Sequence, residues 1–204
     1  MTFSTLTYVF AKRILDVIAS ACGIIILAPI LLIIALFVVL ESHGGAFYLQ
    51  ERIGKNGRAF TLYKFRSMAI HADKSGLLTV GRDARITKAG SFIRKYKLDE
   101  LPQLFNVFLG NMSLVGPRPE VRKYVELYTA DQRRVLSIKP GITDWASIKY
   151  KNENDLLANA ANPEQEYINT VMPDKLSINL EYVDNRSFFT DIKIIFKTIQ
   201  QILK

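Results

Sequence analysis

The chain has 204 residues, of which 49% are hydrophobic, and a formal net charge of +8, so it can form one domain with a substantial core plus a smaller appendage. A single cysteine, Cys22, excludes an intrachain disulfide and a cysteine metal site, and His43 and His71 stand too far apart in sequence to suggest a histidine metal centre. Any metal is therefore expected to be a hard ion such as magnesium, held by carboxylate and phosphate oxygens.

The first predicted element is an apolar helix, because Val17 to Leu40 comprises 24 residues without a formal charge. As a helix this segment measures about 36 Å, enough for a hydrocarbon core of about 30 Å. Its length favours a simple membrane span and a retained anchor rather than a signal peptide. Pro29 near the middle, with Lys12 and Arg52 among the basic flanks, indicates an alternative in which the helix bends and returns to the same face.

A β-hairpin is predicted over residues 46–68, where two alternating segments flank a Gly-Lys-Asn-Gly turn. This hairpin would bring Arg52, Lys64 and Arg66 near one another. Residues 50–97 as a whole, Arg82 among them, contain twelve Lys or Arg against three Asp or Glu. Such a basic stretch is typical of proteins that bind nucleic acid, an anionic membrane or phosphorylated substrates, and also of a solvated face.

An acidic pair, Asp99 and Glu100, follows the basic stretch and precedes Pro102. Proline is tolerated in the first turn of a helix, so the pair is expected in that turn. A helix N-terminus stabilises an ionised carboxylate and favours bound anions. Asp99 is therefore either an ordinary helix cap or a nucleophile beside a phosphate site.

Arg118 is the strongest single candidate for a phosphate ligand, because Pro117 and Pro119 restrict its backbone. Its guanidinium could make a bidentate contact with phosphate. A Pro-Arg-Pro element alone is also typical of a plain loop. Farther along the chain we predict a helix over residues 121–136, a turn over 139–143 and a polar surface excursion over 151–163.

The carboxy-terminal residues 188–204 are predicted to form an amphipathic helix. Such a helix either lies in a membrane interface or packs on the domain core, and the pattern leaves both open. The apolar residues at helical spacing are Phe188, Ile192, Ile195, Phe196, Ile199 and Leu203. The polar remainder includes Asp191, Lys193, Lys197, Gln200 and Lys204.

Taken together and in this order, the motifs resemble those of the bacterial monotopic phosphoglycosyl transferases, in their small single-domain form. Two positions depart from that family's usual pattern: Asp144, where glycine is frequent, and Phe189, where tryptophan is frequent. The motifs that carry the resemblance are KRILD, Ala28-Pro29, YKFRSM, LDELPQLFNV, MSLVGPRPE, KPGIT and EYVDNRSFFTDIKI.

The resemblance implies an α+β, mostly helical fold. Residues 1–42 would form a re-entrant membrane helix-break-helix, which reverses the preference for a span. Residues 43–204 would form a compact catalytic domain with a small β-hairpin and amphipathic interfacial helices. The protein would then lie at the cytoplasmic face of the bacterial inner membrane.

The resemblance also implies the chemistry: transfer of a sugar 1-phosphate from a UDP-sugar to undecaprenyl phosphate, with release of UMP, as the first membrane step of a surface-glycan pathway. Asp99 would be the nucleophile, forming a covalent aspartyl-phosphosugar, and also a ligand of Mg²⁺. Glu100 would either position the metal or accept a proton. Lys64, Arg94 and Arg118 would bind the anionic substrates. Membrane lipids and downstream glycosyltransferases are further expected partners.

Two other classes of protein compete with this interpretation. A membrane-tethered nucleic-acid binder would explain the basic stretch, but no helix-turn-helix, metal finger or stacking-aromatic motif accompanies it, so we expect no nucleic-acid partner. A noncatalytic membrane scaffold would explain the anchor and the amphipathic helix. It would not explain an acidic pair close to arginine.

Overall fold

The computed structural model describes residues 3–72, 76, 78–81 and 83–202. The fold is α+β and 61% helical, which confirms the expected class. Arg82 of the basic stretch, and Leu203 and Lys204 of the carboxy-terminal helix, lie outside the described residues.

The longest element is helix α1, Phe3–Glu41, which includes Pro29. Within the described ranges it is the one helix long and apolar enough to cross a membrane. Pro29 does not divide α1 into two separate elements, so the predicted helix-break-helix is not confirmed. The re-entrant path of this segment stays a prediction.

Both ends of α1 contact the rest of the protein. Near its start, Arg13 donates to the carbonyl oxygens of Val107 (2.7 Å) and Phe108 (2.9 Å). At its end, the Glu41 carboxylate accepts a hydrogen bond of 2.9 Å from the backbone N–H of Ala89. Between these two contacts, α1 contributes three side chains to a buried apolar cluster: Leu31, Ile34 and Val38.

The predicted hairpin is confirmed as strands β1, Phe47–Ile53, and β2, Ala59–Phe65, which pair antiparallel around a short 3-10 turn. Lys64 lies near the end of β2. Arg66 follows directly and donates to the carbonyl oxygens of Ser42 and His43, so it fixes the segment that leaves α1.

Two short strands that the sequence did not predict, β3 (Ser113–Val115) and β4 (Gly141–Thr143), form a parallel pair. Three residues are too few for an alternating pattern. The backbones approach so closely that a Cβ on Gly141 would lie 2.1 Å from the Gly116 nitrogen, which only glycine permits. This pair brings the Pro-Arg-Pro loop after β3 next to the residues after β4.

The single helix predicted over residues 121–136 is wrong. The structure has a short helix α4, Arg122–Val125, and a separate 3-10 segment, Gln132–Ser137. The side chain of Gln132 accepts from the backbone of Thr129, and the Thr129 hydroxyl accepts from the backbone of Gln132. These reciprocal bonds form a capping box, the Thr-x-x-Gln signal of a new helical start within the segment.

The remaining helices surround the main core. The helix bounds are α2 Lys88–Lys95, α3 Gln103–Leu109, α5 Trp145–Lys149, α6 Glu153–Ala158, α7 Pro163–Glu166 and α8 Met172–Asn185. The polar excursion predicted over residues 151–163 is mostly exposed at the surface and contains the short helix α6. Between α7 and α8 the chain passes through a π-helical stretch, Tyr167–Val171. Core side chains include Tyr124, Val135, Leu157, Val171 and Leu176.

The carboxy-terminal helix α9, Phe188–Ile202, is amphipathic as predicted, and it packs on the core while exposing apolar residues. Ile194 is fully buried, whereas Phe189 is 84% and Phe196 65% exposed. Asp191, predicted on the polar face, is instead buried. Its carboxylate is held by groups from α1 and α8.

Candidate active site

An open cleft of about 1530 Å³ runs between β2, the segment that carries Asp99 and Glu100, and the loops after β3 and β4. Asp99 and Glu100 lie in its wall, in a 3-10 turn, Leu98–Glu100. Helix α3 begins only after Pro102, so the expected placement of the pair in the first turn of that helix is wrong. The five residues expected to act on substrate all line this cleft: Lys64, Arg94, Asp99, Glu100 and Arg118.

Asp99 is 6% exposed, and within the part of the chain that the structure describes its carboxylate has no hydrogen-bond or ion-pair partner. Burial and the neighbouring charge of Glu100 raise its pKa, and the cations Lys64, Arg94 and Lys97 offset only part of that rise. The electrostatics are therefore the reverse of those expected for a carboxylate at a helix N-terminus. Asp99 is an unpaired carboxyl group facing the cleft.

Glu100 differs from its neighbour because its carboxylate is shared between two cations. Arg118 makes a two-pronged contact, with Nη1 donating to Oε2 at 3.2 Å and Nη2 to Oε1, while Lys64 Nζ lies 3.4 Å from Oε1. Burial pushes the pKa of Glu100 up, but Arg118 and Lys64 outweigh it and hold the pKa well below its usual range. Glu100 is thus a permanently ionised carboxylate.

The two cations respond differently to this environment. Burial lowers the pKa of Lys64 to about 8, against the opposing attraction of Glu100. The charge of Glu100 is the main cause that raises the pKa of Arg118 above its ordinary value. Arg118 therefore stays charged at any working pH, whereas burial makes Lys64 easier to deprotonate than an ordinary lysine.

Arg94 approaches the cleft from α2. Its guanidinium donates to the Thr79 hydroxyl at 3.2 Å and to the Ser67 hydroxyl at 3.5 Å. Its positive charge lowers the pKa of Asp99, although the two groups are not hydrogen-bonded. Among the described residues the Arg94 guanidinium hydrogen-bonds only to hydroxyl groups and makes no ion pair, so it can bind an anion.

Asp144 is a site residue that sequence reasoning did not assign. One carboxylate oxygen caps α5 by accepting from the Ser147 backbone, and the other accepts from the backbone N–H of Arg118 at 2.8 Å. Asp144 therefore fixes the loop that carries Arg118. Its departure from the family's frequent glycine was visible in the sequence, but its partner becomes evident only from the β3–β4 pairing.

No group of three or more His, Cys, Asp or Glu side chains capable of holding a metal occurs among the described residues. Magnesium commonly uses one or two protein carboxylates and completes its coordination with substrate phosphates. The unpaired carboxylate of Asp99 fits such a site. Glu100 fits it less well, since both of its oxygens already accept hydrogen bonds from cations.

The cleft is lined by both polar and apolar side chains. The polar ones include Ser67 and Thr79 of the loop after β2, Arg94 of α2, and Asn152 and Glu153 at the start of α6. The apolar ones include Leu27 of α1, Leu101, Leu104 of α3, and Ile195 and Ile199 of α9. Asp99 lines the same cleft as both sets.

Comparison with known proteins matches residues 7–204 to the family model described as bacterial sugar transferase. A UDP-N-acetylgalactosamine-undecaprenyl-phosphate N-acetylgalactosaminephosphotransferase from Aeromonas hydrophila is 37% identical over 202 residues, 96% of this chain and 44% of the relative. An uncharacterized sugar transferase, EpsL, from Bacillus subtilis is 40% identical over 94% of this chain and 87% of that protein.

A UDP-glucose:undecaprenyl-phosphate glucose-1-phosphate transferase from Escherichia coli is 36% identical over 92% of this chain and 39% of its own length. The chain therefore spans less than half the length of this relative and of the Aeromonas protein. Because the family model covers almost the whole chain, the protein belongs to the bacterial sugar transferase family.

Proposed function

We propose that the protein is a phosphoglycosyl transferase that moves a sugar 1-phosphate from a UDP-sugar to undecaprenyl phosphate and releases UMP. The observation that carries the proposal is the unpaired, buried carboxylate of Asp99 in a cleft that also contains Lys64, Arg94 and Arg118. The Aeromonas and Escherichia coli relatives are named for the transfer of a sugar phosphate from a UDP-sugar to undecaprenyl phosphate, which supports the same substrates for this protein.

The mixed lining of the cleft supports one substrate of each kind. A nucleotide sugar is polar and anionic, so Thr79, Arg94 and Asn152 suit the donor. An isoprenoid phosphate has an apolar tail, so Leu27 and Ile199 suit the acceptor. In this arrangement the two phosphates meet at Asp99.

In the proposed first step, an Asp99 oxygen attacks the phosphorus that bears the sugar. The new O–P bond forms as the bond to the UMP oxygen breaks, and the bonding electrons leave with UMP. In the second step an oxygen of the lipid phosphate attacks the same phosphorus. The bond to Asp99 then breaks, the carboxylate is restored, and the undecaprenyl-diphosphate-sugar leaves.

The charged groups around Asp99 have distinct roles in the proposed chemistry. Lys64 and Arg118 would neutralise the diphosphate, which otherwise repels the approaching carboxylate. Mg²⁺ held by Asp99 and substrate phosphates would add positive charge and favour the ionised form of Asp99. We assign Glu100 to the positioning of Lys64 and Arg118, because a carboxylate with a lowered pKa is a weak base.

We further propose that residues 1–42 form a re-entrant anchor and residues 43–204 a catalytic domain at the cytoplasmic face. The contacts of Arg13 and Glu41 support this, because both ends of α1 are bound by the same domain. A spanning helix would lead one end away from it. The exposed Phe189 and Phe196 of α9 suit the same membrane surface.

UMP release tests the proposed chemistry. Purified protein receives a panel of UDP-sugars with Mg²⁺ and undecaprenyl phosphate, and Asp99→Asn is compared with wild type. We expect the variant to lose about 1000-fold or more of the activity, because the nucleophile is gone. Without the lipid acceptor, wild type should release at most one UMP per protein molecule, as a covalent intermediate requires.

Asp131→Asn is the matched control, since Asp131 is an exposed carboxylate paired with Arg134. It should keep wild-type activity. If Asp99→Asn releases UMP as fast as this control, or if no donor supports release by a folded wild type, the proposed function is wrong.

A further inference from the structure

A second cluster of cations lies outside the cleft, around the loop that ends α3. Gly110 terminates this helix with a φ of +92°, a conformation that side chains strongly disfavour. The point where its Cβ would lie is 3.2 Å from Arg13 Nη2 and 3.5 Å from Lys139 Nζ. Two cations from distant parts of the sequence therefore converge on a place kept open by a missing side chain.

The charges in this cluster are poorly balanced. Burial and the like charges of Arg13 and Lys55 lower the pKa of Lys139, while Asp16 acts in the opposite direction. The carboxylate of Asp16 already accepts a hydrogen bond of 3.0 Å from the backbone N–H of Leu114. Among the described residues Lys139 has neither a hydrogen bond nor an ion pair.

Arg13 has a structural role that Lys139 lacks. Its guanidinium donates to the carbonyl oxygens of Val107 and Phe108, and so caps the end of α3. These bonds hold Arg13 in place and leave further N–H groups free to bind an anion. Lys139, in contrast, has no hydrogen-bond or ion-pair partner among the described residues, and its charge lies close to that of Arg13. A bound anion would remove the cost of this repulsion.

Apolar residues border the cluster. Leu109, next to Gly110, is 62% exposed, and Phe108 and Ile14 are each nearly half exposed. Arg13 and Ile14 also lie just before the long uncharged segment of α1, which begins at Val17. A ligand that combines a phosphate with hydrocarbon chains fits this arrangement, because its charge meets the cations while its chains cover the apolar residues.

We propose that Arg13, Lys139 and the open backbone at Gly110 form a binding site for the phosphate of an anionic membrane lipid, separate from the cleft. This site would fix the depth and orientation of the protein at the membrane surface. It does not depend on the proposed activity, because none of its residues lines the cleft.

Lipid retention in native mass spectrometry tests the site. The full chain, purified in detergent, is mixed with phosphatidylglycerol or with phosphatidylcholine. We expect wild type to retain one phosphatidylglycerol in preference to phosphatidylcholine. Lys139→Gln should lower that occupancy about fivefold, the factor equivalent to about 1 kcal/mol per basic residue at a membrane surface. Lys139→Arg should restore it.

Lys88→Gln is the matched control, because Lys88 is exposed on α2 and lies in neither the cleft nor this cluster. Thermal unfolding shows whether the variants fold, and Lys139→Gln should not lower the midpoint, since it removes a like-charge repulsion. Unchanged phosphatidylglycerol retention in Lys139→Gln, or an equal loss in Lys88→Gln, would falsify the proposal. If millimolar inorganic phosphate displaces the lipid, the site takes free phosphate and the lipid assignment is wrong.

Discussion

At the scale of single residues, Glu100 connects two cations that differ in their ability to lose a proton. Arg118 stays charged, but Lys64 has a pKa lowered to about 8 by burial. Any function that needs both positive charges therefore weakens when Lys64 deprotonates. Glu100 opposes this loss, because its negative charge raises the pKa of Lys64.

We expect kcat/KM for the UDP-sugar to fall as pH rises through about 8, since the free protein then loses the Lys64 charge that binds the diphosphate. Glu100→Gln should move this fall to lower pH, because it removes the carboxylate that favours charged Lys64. The measurement is the pH profile of UMP release at low donor concentration for both proteins.

The free energy of unfolding should rise between pH 8 and 10.5, in the direction opposite to the change in kcat/KM. The pKa of Lys64 is lowered from its ordinary 10.5 to about 8 in the folded protein, so the unfolded chain binds more protons between these pH values. Lys64 alone therefore makes the folded state more stable as pH rises from 8 to 10.5, so a fall in kcat/KM over this range reflects lost binding rather than unfolding.

Glu164→Gln, at an exposed pair with Lys123, is the control for the pH profile of UMP release and should keep the wild-type profile. An identical profile in Glu100→Gln would refute the assignment to Lys64.

The sequence predicted the members of the site better than their contacts. The motifs named Asp99 and Arg118, and the structure brings both to one cleft. The sequence did not predict the pairing of Arg118 with Glu100 or its backbone bond to Asp144, because both depend on the parallel β3–β4 contact. Three-residue strands produce no periodic signal, so their pairing is a tertiary property.

At the scale of elements, Asp191 joins three helices. This residue of α9 is 2% exposed and accepts from Lys12 Nζ at 2.6 Å, from the Tyr182 hydroxyl at 2.6 Å and from the Tyr8 hydroxyl at 2.9 Å. The start of α1, the end of α8 and the start of α9 therefore meet at one buried carboxylate. The helices that present apolar residues outward are connected by this polar contact.

We expect Asp191→Asn to destabilise the protein by about 3–5 kcal/mol, because it leaves Lys12 without its buried countercharge. Thermal unfolding in detergent should show a clearly lower midpoint. The double variant Lys12→Met, Asp191→Asn should recover part of the loss, since no unpaired charge then stays buried.

Asp184→Asn provides the comparison, because Asp184 pairs with Arg134 at the surface, where solvent screens the charges and such pairs add little stability. If both single variants unfold at the same temperature, the contact at Asp191 does not hold the three helices together.

The elements also differ in how well their patterns predicted them. The hairpin was predicted because alternation and an Asn-Gly turn are local signals, and the register of β1 and β2 follows from them. The segment over residues 121–136 was misread because its apolar spacing continued across the capping box at Thr129 and Gln132. Asp191 looked like a surface residue because its partners, Lys12 and Tyr182, come from other helices.

At the scale of the whole molecule, charge and apolar surface are arranged around α1. The basic stretch of residues 50–97 supplies Lys64 and Arg94 to the cleft, whose apolar lining includes Leu27 of α1. In the proposed function, the lipid phosphate enters this cleft from the membrane and the soluble nucleotide sugar enters it from water. This arrangement requires the domain and both ends of α1 to lie on one side of the membrane.

Cysteine labelling tests this requirement. Ser4→Cys and Arg58→Cys are made separately in a Cys22→Ser background, and intact cells are treated with a membrane-impermeant thiol reagent. We expect both cysteines to be protected in intact cells and labelled after permeabilisation, because Arg13 and Glu41 attach both ends of α1 to one domain. The background protein without an added cysteine sets the unlabelled level. Labelling of position 4 from outside, with position 58 protected, would identify α1 as a span and remove the re-entrant anchor from the proposal. The domain would then still face the nucleotide pool, but the contacts at Arg13 and Asp191 could not form across the bilayer.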